Sequence, residues 1–244
     1  MRHATPIKPK KSLGQHFLRC QWVVDTLIHA GELTKQDTIL EIGPGTGVLT
    51  RALGKHAGNV LAVEKDEKLA QLLRKSLREE SISNVEIREG DIITLFPLMS
   101  QHYKLIANIP YYLTSRLLRL IFESDTKPSI VALTIQKEVA ERIVAKPPRM
   151  SVLSLAVQAY GTPKIIATVP ASCFYPKPNI DSSIIKISDI SYNFFKAHFF
   201  SEKNFFDVVK LGFSAKRKQL AGNLAKKFPK EKIISLFSET KLNP

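Results

Sequence analysis

Cysteine is scarce. The 244 residues contain two, Cys20 and Cys173. They lie so far apart that neither a disulfide framework nor a zinc-ligand spacing can be read from them. A reducing, cytoplasmic setting is the expectation. Six histidines are scattered at 3, 16, 29, 56, 102 and 198 without an H-x-x-x-H pair, so no metal site is expected. No apolar run approaches the roughly 18 residues of a membrane span, and no membrane partner is expected. Residues 1–19 carry five Lys/Arg and no acid, and they lack the apolar centre of a secretory signal. A basic, acid-free start also suits an organelle presequence, which stays as the alternative. Neither internal repeats nor low-complexity tracts are present.

What the sequence does have is positive charge at its ends. The formal net charge is +14. Residues 20–190 are nearly balanced, with 20 basic and 18 acidic groups, whereas residues 191–244 hold 11 basic and four acidic groups. Such segregation suits a polyanionic partner, and nucleic acid is the expected one. With 44% hydrophobic residues the chain can also build a sizeable core.

Short apolar runs alternate with helical periodicity. "TILEI" (38–42), "NVLAV" (59–63), "NVEIR" (84–88), "KLIA" (104–107) and "SIVALTI" (129–135) read as strands. Between them lie helical patterns, one with Leu69, Leu72, Leu73 and Leu77 on one face and another with Leu113, Leu117, Leu118 and Ile121. Pro147-Pro148 ends the helix in "QKEVAERIVA" (136–145). This alternation implies an α/β fold, a mainly parallel sheet with helices on both faces. After Ala159, "TPKIIATV" and "SSIIKI" follow with no long helix between them, so the far edge is expected to be antiparallel. From about Ser191 the chain reads as helical and basic, and "FFDVVKLGFSAKRKQLAGNLAKKF" has Val208, Val209, Leu211, Leu220 and Leu224 at helix-compatible positions. The expected organisation is a basic N-terminal segment (1–19), a catalytic domain (20–190) and a small basic helical domain (191–244).

Three strand tips carry chemistry. "EIGPGTG" (41–47) closes the first strand, and its glycines permit positive φ and close ligand approach. The spacing G-x-G-x-G departs from the dinucleotide fingerprint, because Val48 stands where the third glycine belongs. Glu64 falls just past the second strand, 21 residues after Gly43, where a carboxylate can accept both ribose hydroxyls. Asp91 in "EGDI" follows the third and can accept from an exocyclic adenine amine. Alone, each acid is an ordinary solvated strand end; together the three tips outline an adenosyl site. On the fourth strand, "NIPYY" (108–112) places an amide, a proline and two tyrosines at a tip where ligands bind in open α/β sheets. On its own this too is an ordinary strand end.

With these residues assembled, the sequence resembles the class I S-adenosylmethionine-dependent methyltransferases. Among them it is similar to the ribosomal RNA adenine N6-dimethyltransferases, the KsgA-like branch, with the Erm resistance enzymes as relatives. The resemblance covers roughly residues 8–225. It is carried by "KSLGQHFL" (11–18), "ILEIGPGTGVLT" (39–50), "AVEKD" (62–66), "EGDI" (89–92), "NIPYYLTS" (108–115), "QKEVAERIVA" (136–145), "FYPKPNIDSSIIKI" (174–187) and the basic "FSAKRKQLAGNL" (213–224). It implies a Rossmann-like methyltransferase sheet with a small C-terminal helical domain, and S-adenosylmethionine as methyl donor, leaving as S-adenosylhomocysteine.

The resemblance also implies roles. Gln15, His16 and Leu18 close over the cofactor, Gly43 and Gly45 approach its methionine portion, Glu64 takes the ribose, and Asp91 with Ile92 holds the adenine. Asn108 borders the transferable methyl. Asn108 and Ile109 present oxygen acceptors, Pro110 aims the preceding carbonyl, and Tyr111 and Phe174 flank the target base. Lys216, Arg217 and Lys218, read as helical, are expected on RNA phosphates. The implied partner is ribosomal RNA in an immature small subunit. Nothing in the sequence suggests obligate oligomerisation, so a monomer is the expectation. The implied reaction dimethylates N6 of two adjacent adenosines in the 3′-terminal hairpin of small-subunit RNA.

Two departures qualify this. The link "AKPPRMSVLS" is shorter than the family's loop, and the sequence ends at "SETKLNP", before a last helical segment. An Erm-like large-subunit enzyme and a non-catalytic ribosome-assembly factor on the same fold are the alternatives. A DNA adenine methyltransferase is more distant.

Overall fold

The computed structural model describes residues 9–99, 102–215 and 217–240. Its centre is a seven-stranded sheet. The strands are β2 (Thr38–Ile42), β3 (Asn59–Glu64), β4 (Val85–Glu89), β5 (Lys104–Asn108), β6 (Val131–Gln136), β7 (Thr162–Val169) and β9 (Ser182–Ser188), in spatial order β4-β3-β2-β5-β6-β9-β7. The first five strands of that order run parallel, while β9 and β7 pair antiparallel. The expected architecture and antiparallel edge are both present.

Strand alternation explains why helices cover both faces. Leu40, Leu105, Val131 and Leu133 point into one buried cluster, which α5 (Thr114–Phe122) and α6 (Lys137–Val144) complete with Leu117, Leu118, Ile121, Ala140 and Ile143. Their neighbours Ile39, Ile106 and Ala132 point into the opposite cluster, with Val23, Val24 and Leu27 of α1 (Gln21–Ala30) and Leu49 and Leu53 of α2 (Val48–His56). On α3 (Glu67–Glu79) the buried positions are Leu69, Ala70, Leu73 and Leu77. Leu72 is exposed, a correction to the expected apolar face. The i, i+4 row 69-73-77 faces the sheet and position 72 falls to its flank.

The short link after α6 is explained by α7 (Val152–Gln158), which begins inside it and was not expected. Ser151 and Ser154 form a capping box there. Beyond residue 190 lie α8 (Asn193–Ala197), α9 (Glu202–Gly212), α10 (Leu220–Leu224) and α11 (Lys230–Glu239). The helix-compatible stretch 205–228 is interrupted between α9 and α10. Asn223, 1% exposed, donates from Nδ2 to the Gly212 and Ala215 carbonyls, ending α9 and fixing the turn to α10. Aromatic packing ties this region to the sheet body: the Tyr160 ring lies 5.1 Å from Phe122 and 5.2 Å from Phe195.

A second small sheet was also unforeseen. β1 (Phe17–Leu18) pairs antiparallel with β8 (Phe174–Tyr175), and the Arg19 amide donates to the Cys173 carbonyl. This pairing brings the N-terminal segment beside β8, and next to it Cys20 and Cys173, 153 apart in sequence, form a disulfide. The expectation of two unpaired thiols is corrected: tertiary return of the N-terminal segment, invisible in cysteine spacing, places them side by side. Denatured, unreduced protein is therefore expected to show no reactive thiol and to show two after reduction. Two thiols before reduction would contradict the bond.

Candidate cofactor and target-base cleft

The C-terminal tips of β2, β3, β4 and β5 open into one cleft of about 980 Å³, its open mouth included. That lies in the range of small-molecule sites. Gly43, Gly45, Glu64, Asp91 and Ile92 line it. So do Asn108, Ile109, Pro110, Tyr111 and Phe174, and across the mouth Gln15, His16 and Leu18. Every expected site residue of the N-terminal segment and the sheet is thus in one place. Arg217 and Lys218 are exposed in the turn between α9 and α10 and do not line the cleft. Their expected helical position is corrected by the break that Asn223 enforces. Lys216 lies outside the described residues.

The glycine turn and the second strand are locked together through Glu64. This side chain is 5% exposed; its Oε2 accepts the Gly45 amide at 3.0 Å and its Oε1 the Asp66 amide at 2.8 Å. Burial pushes the Glu64 carboxyl above its ordinary range, against the pull of those two amides. Gly45 has φ +56°, and a Cβ there would meet the Phe17 ring at 3.1 Å, so the position needs glycine on both counts. Asp91 caps α4 (Ile92–Leu95): Oδ1 accepts the Ile93 amide at 3.0 Å and Oδ2 accepts from Lys65 Nζ at 2.9 Å. The Lys65 bond leads in holding its carboxyl below the usual range. Asp91 is thus an anionic acceptor whose oxygens each keep a lone pair for a ligand amine.

The N-terminal segment spans the mouth. Lys10 Nζ sits 2.9 Å from Asp66 Oδ2, which also accepts from Gln15 Nε2 at 3.2 Å. His16 Nδ1 contacts the Pro176 carbonyl at 2.6 Å. On the sheet side, Asn108 Nδ2 donates to the His16 carbonyl at 3.3 Å, and Tyr111 Oη lies 2.7 Å from Ser182 Oγ. Phe174 is 3% exposed, so it forms the floor of the cleft, not a free wall. Tyr112, second tyrosine of the motif, is 61% exposed at the rim.

Two lining or supporting groups escaped sequence reading. Asp66 caps α3, accepting the Lys68 amide. Only tertiary structure shows it anchoring Lys10 and Gln15. Glu41 read as part of an apolar strand; it lines the cleft at 1% exposure with no partner for Oε2. Among the described residues no cluster of His, Cys, Asp or Glu is arranged to hold a metal ion, and no helix is long and apolar enough to cross a membrane.

The residues present fit S-adenosylmethionine. A buried carboxylate for vicinal hydroxyls, a glycine turn open to close approach and an acidic acceptor beside an apolar slot are the donor and acceptor set that an adenosyl ligand requires. The chain is a Rossmann-like, S-adenosylmethionine-dependent methyltransferase. A family model described as "Ribosomal RNA adenine dimethylase" matches residues 7–244, and the chain belongs to that family.

Similar proteins agree. A protein named "Ribosomal RNA small subunit methyltransferase A" from Dehalococcoides mccartyi is 39% identical over all of this chain and 84% of its own length. One of the same name from Nostoc punctiforme is 36% identical over 98% of this chain and 89% of its length. Among solved structures, a dimethyladenosine transferase from Plasmodium falciparum aligns with TM-score 0.77 and 28% identity, covering 94% of this chain and 83% of that one. The 23S rRNA methyltransferase ErmE shares the fold, with TM-score 0.75 and 24% identity over 93% of this chain and 91% of its own.

Burial, with the nearby Glu64 charge adding to it, pushes the Glu41 carboxyl from about 4.5 up to about 8. Between those values the folded chain keeps a proton that the unfolded chain has released, so stability falls as pH rises through this window. Glu41→Gln, shaped like the neutral acid, removes that penalty. The thermal midpoint of the variant relative to the parent is expected to rise steadily from pH 5 to pH 8. Parallel pH curves for the two proteins would contradict it.

Proposed function

We propose that the enzyme dimethylates N6 of two adjacent adenosines in the 3′-terminal hairpin of small-subunit ribosomal RNA, acting in the cytoplasm as a monomer on an immature subunit. The whole-chain likeness to proteins named as small-subunit methyltransferases supports the substrate. The basic residues after 190 suit an RNA surface.

In this reading Glu64 accepts the ribose hydroxyls, Asp91 and Ile92 hold the adenine, and Gly43 and Gly45 admit the methionine portion. Gln15, Leu18 and the backbone of His16 cover the cofactor, which supplies an electrophilic methyl on a sulfonium. The target nitrogen is a poor nucleophile because its lone pair is shared with the purine. Asn108 Oδ1 and the Ile109 carbonyl accept its two N–H bonds and draw the lone pair out of conjugation. Pro110, with φ −57°, holds the chain that aims the Ile109 carbonyl. Tyr111 stacks on the extruded base over the Phe174 floor, an interaction of about 1–3 kcal/mol. No side-chain nucleophile is needed; the chain contributes positioning and electrostatics.

The observation that carries this is the Asn108 amide: its nitrogen is committed to His16, in the same cleft wall as Glu64 and Asp91. Asn108→Ala is expected to lower kcat about 10²–10³-fold with cofactor affinity retained, by analogy with lost oxyanion-hole donors, while Glu64→Ala weakens cofactor binding in calorimetry. Equal loss of both functions in N108A would make Asn108 structural. The reaction is followed with labelled S-adenosylmethionine on immature small subunits and protein-free large-subunit RNA. Two neighbouring dimethylated adenosines near the small-subunit 3′ end support the proposal, and a single large-subunit adenosine would overturn its substrate.

Arg217 and Lys218 are proposed to meet RNA phosphates. Replacing both with alanine is expected to reduce the slope of log K against log salt by about 0.7–0.9 per lost contact. An unchanged slope would place them off the RNA.

A further inference from the structure

Residues 10–18 form a strap across the cleft. Its first end is fixed by Lys10 and Gln15 on Asp66, and its second by the β1–β8 pairing and the Arg19-to-Cys173 amide bond. His16 lies between these anchors and makes three contacts with three different parts of the site. Its carbonyl accepts from Asn108, its ring nitrogen meets Pro176, and its ring stacks against Tyr111 with centroids 5.6 Å apart and planes 23° from parallel.

Hydrogen-bond chemistry fixes the sense of two of these contacts. A carbonyl oxygen only accepts. Asn108 must therefore turn its nitrogen toward His16, since the flipped amide would set oxygen against oxygen. The same rule at Pro176 requires Nδ1 of His16 to carry the proton. The ring is thus a donor that pins the strap to Pro176, just after β8, and the pinned strap sets the flip of the Asn108 amide. Without that carbonyl, Asn108 is free to turn its NH2 toward the target amine, donor against donor.

We infer that His16 is a positioning residue for methyl transfer: by seating the strap between Tyr111 and Pro176 it holds Asn108 with its oxygen as the acceptor for the target N6 amine. This rests on the proposed role of Asn108. It couples closure over the cofactor to competence of the catalytic amide, so an open strap leaves a site that binds but transfers poorly. His16 is thereby separated from Gln15 and Leu18: its side chain serves the target-base side, although it stands in the cofactor strap.

The test compares His16→Asn, His16→Phe and Asn108→Ala with the parent protein. Single-turnover and steady-state rates are measured at saturating S-adenosylmethionine and saturating small-subunit RNA, together with cofactor dissociation constants and thermal midpoints. Asn at 16 keeps an N–H close to the position of Nδ1; Phe keeps the ring and loses the donor. H16F is expected to lose about 10²-fold in kcat, the scale of a small misplacement at a reacting centre. H16N is expected to recover most of that loss. For both variants the KM for RNA and the cofactor dissociation constant are expected to stay within about threefold of the parent's, as suits a group acting in the transition state. An H16F enzyme with parental kcat, or one whose loss lies wholly in KM or cofactor affinity, overturns the inference. So does H16N no better than H16F at equal thermal midpoint. If N108A itself turns over normally, the reading of Asn108 fails; if N108A is inactive while H16F is normal, only the role of His16 fails.

Discussion

The cleft depends on where one buried carboxylate is held. Glu64 reaches from the tip of β3 to accept the Gly45 amide of the preceding glycine turn and the Asp66 amide of the following helix. Both bonds use backbone donors that would otherwise be unpaired near a helix start. They fix the distance between the two ligand-facing turns before any ligand arrives. Asp66, placed by the same bond, then offers its own carboxylate to Lys10 and Gln15, and the strap crosses the cleft from there. One acid therefore links the glycine turn of the proposed adenosyl site to the residue that anchors the strap across it.

The parallel sheet makes this possible at low cost. With β2 through β5 pointing the same way, four strand ends open on one side. Alternating apolar residues bury both faces under helices, so the polar groups need only occupy the tips. The candidate site residues thus gather at strand ends and the turns after them, while the core is mostly apolar. Glu41 is an acid inside the core boundary, and its raised pKa is the consequence.

Most of the fold was legible because it is written in periodicities. Runs such as "TILEI" and "SIVALTI" and the leucine spacing of α3 and α5 need no tertiary knowledge. The strand-tip residues Glu64, Asp91 and Asn108 were legible for the same reason, since a strand end and its direction fix their location. What stayed hidden was long-range. The β1–β8 pairing uses two residues on each side, too short to leave a pattern, and the Cys20–Cys173 bond follows from it. The break at residues 213–219 depends on Asn223, whose side chain folds back onto α9 from a position that local propensity reads as helix. The strap contacts of His16 and Asp66 join residues between 51 and 160 positions apart. No local signal encodes them.

The central claim is that the Asn108 oxygen, with its nitrogen engaged elsewhere, accepts a hydrogen bond from the target amine. A crystal structure of the enzyme with S-adenosylhomocysteine and a short RNA bearing the extruded adenosine tests it most directly. The account requires N6 of that adenosine within about 3 Å of Asn108 Oδ1, with Nδ2 still on the His16 carbonyl. An Asn108 side chain turned away from the base, or one presenting its nitrogen to N6, would contradict it.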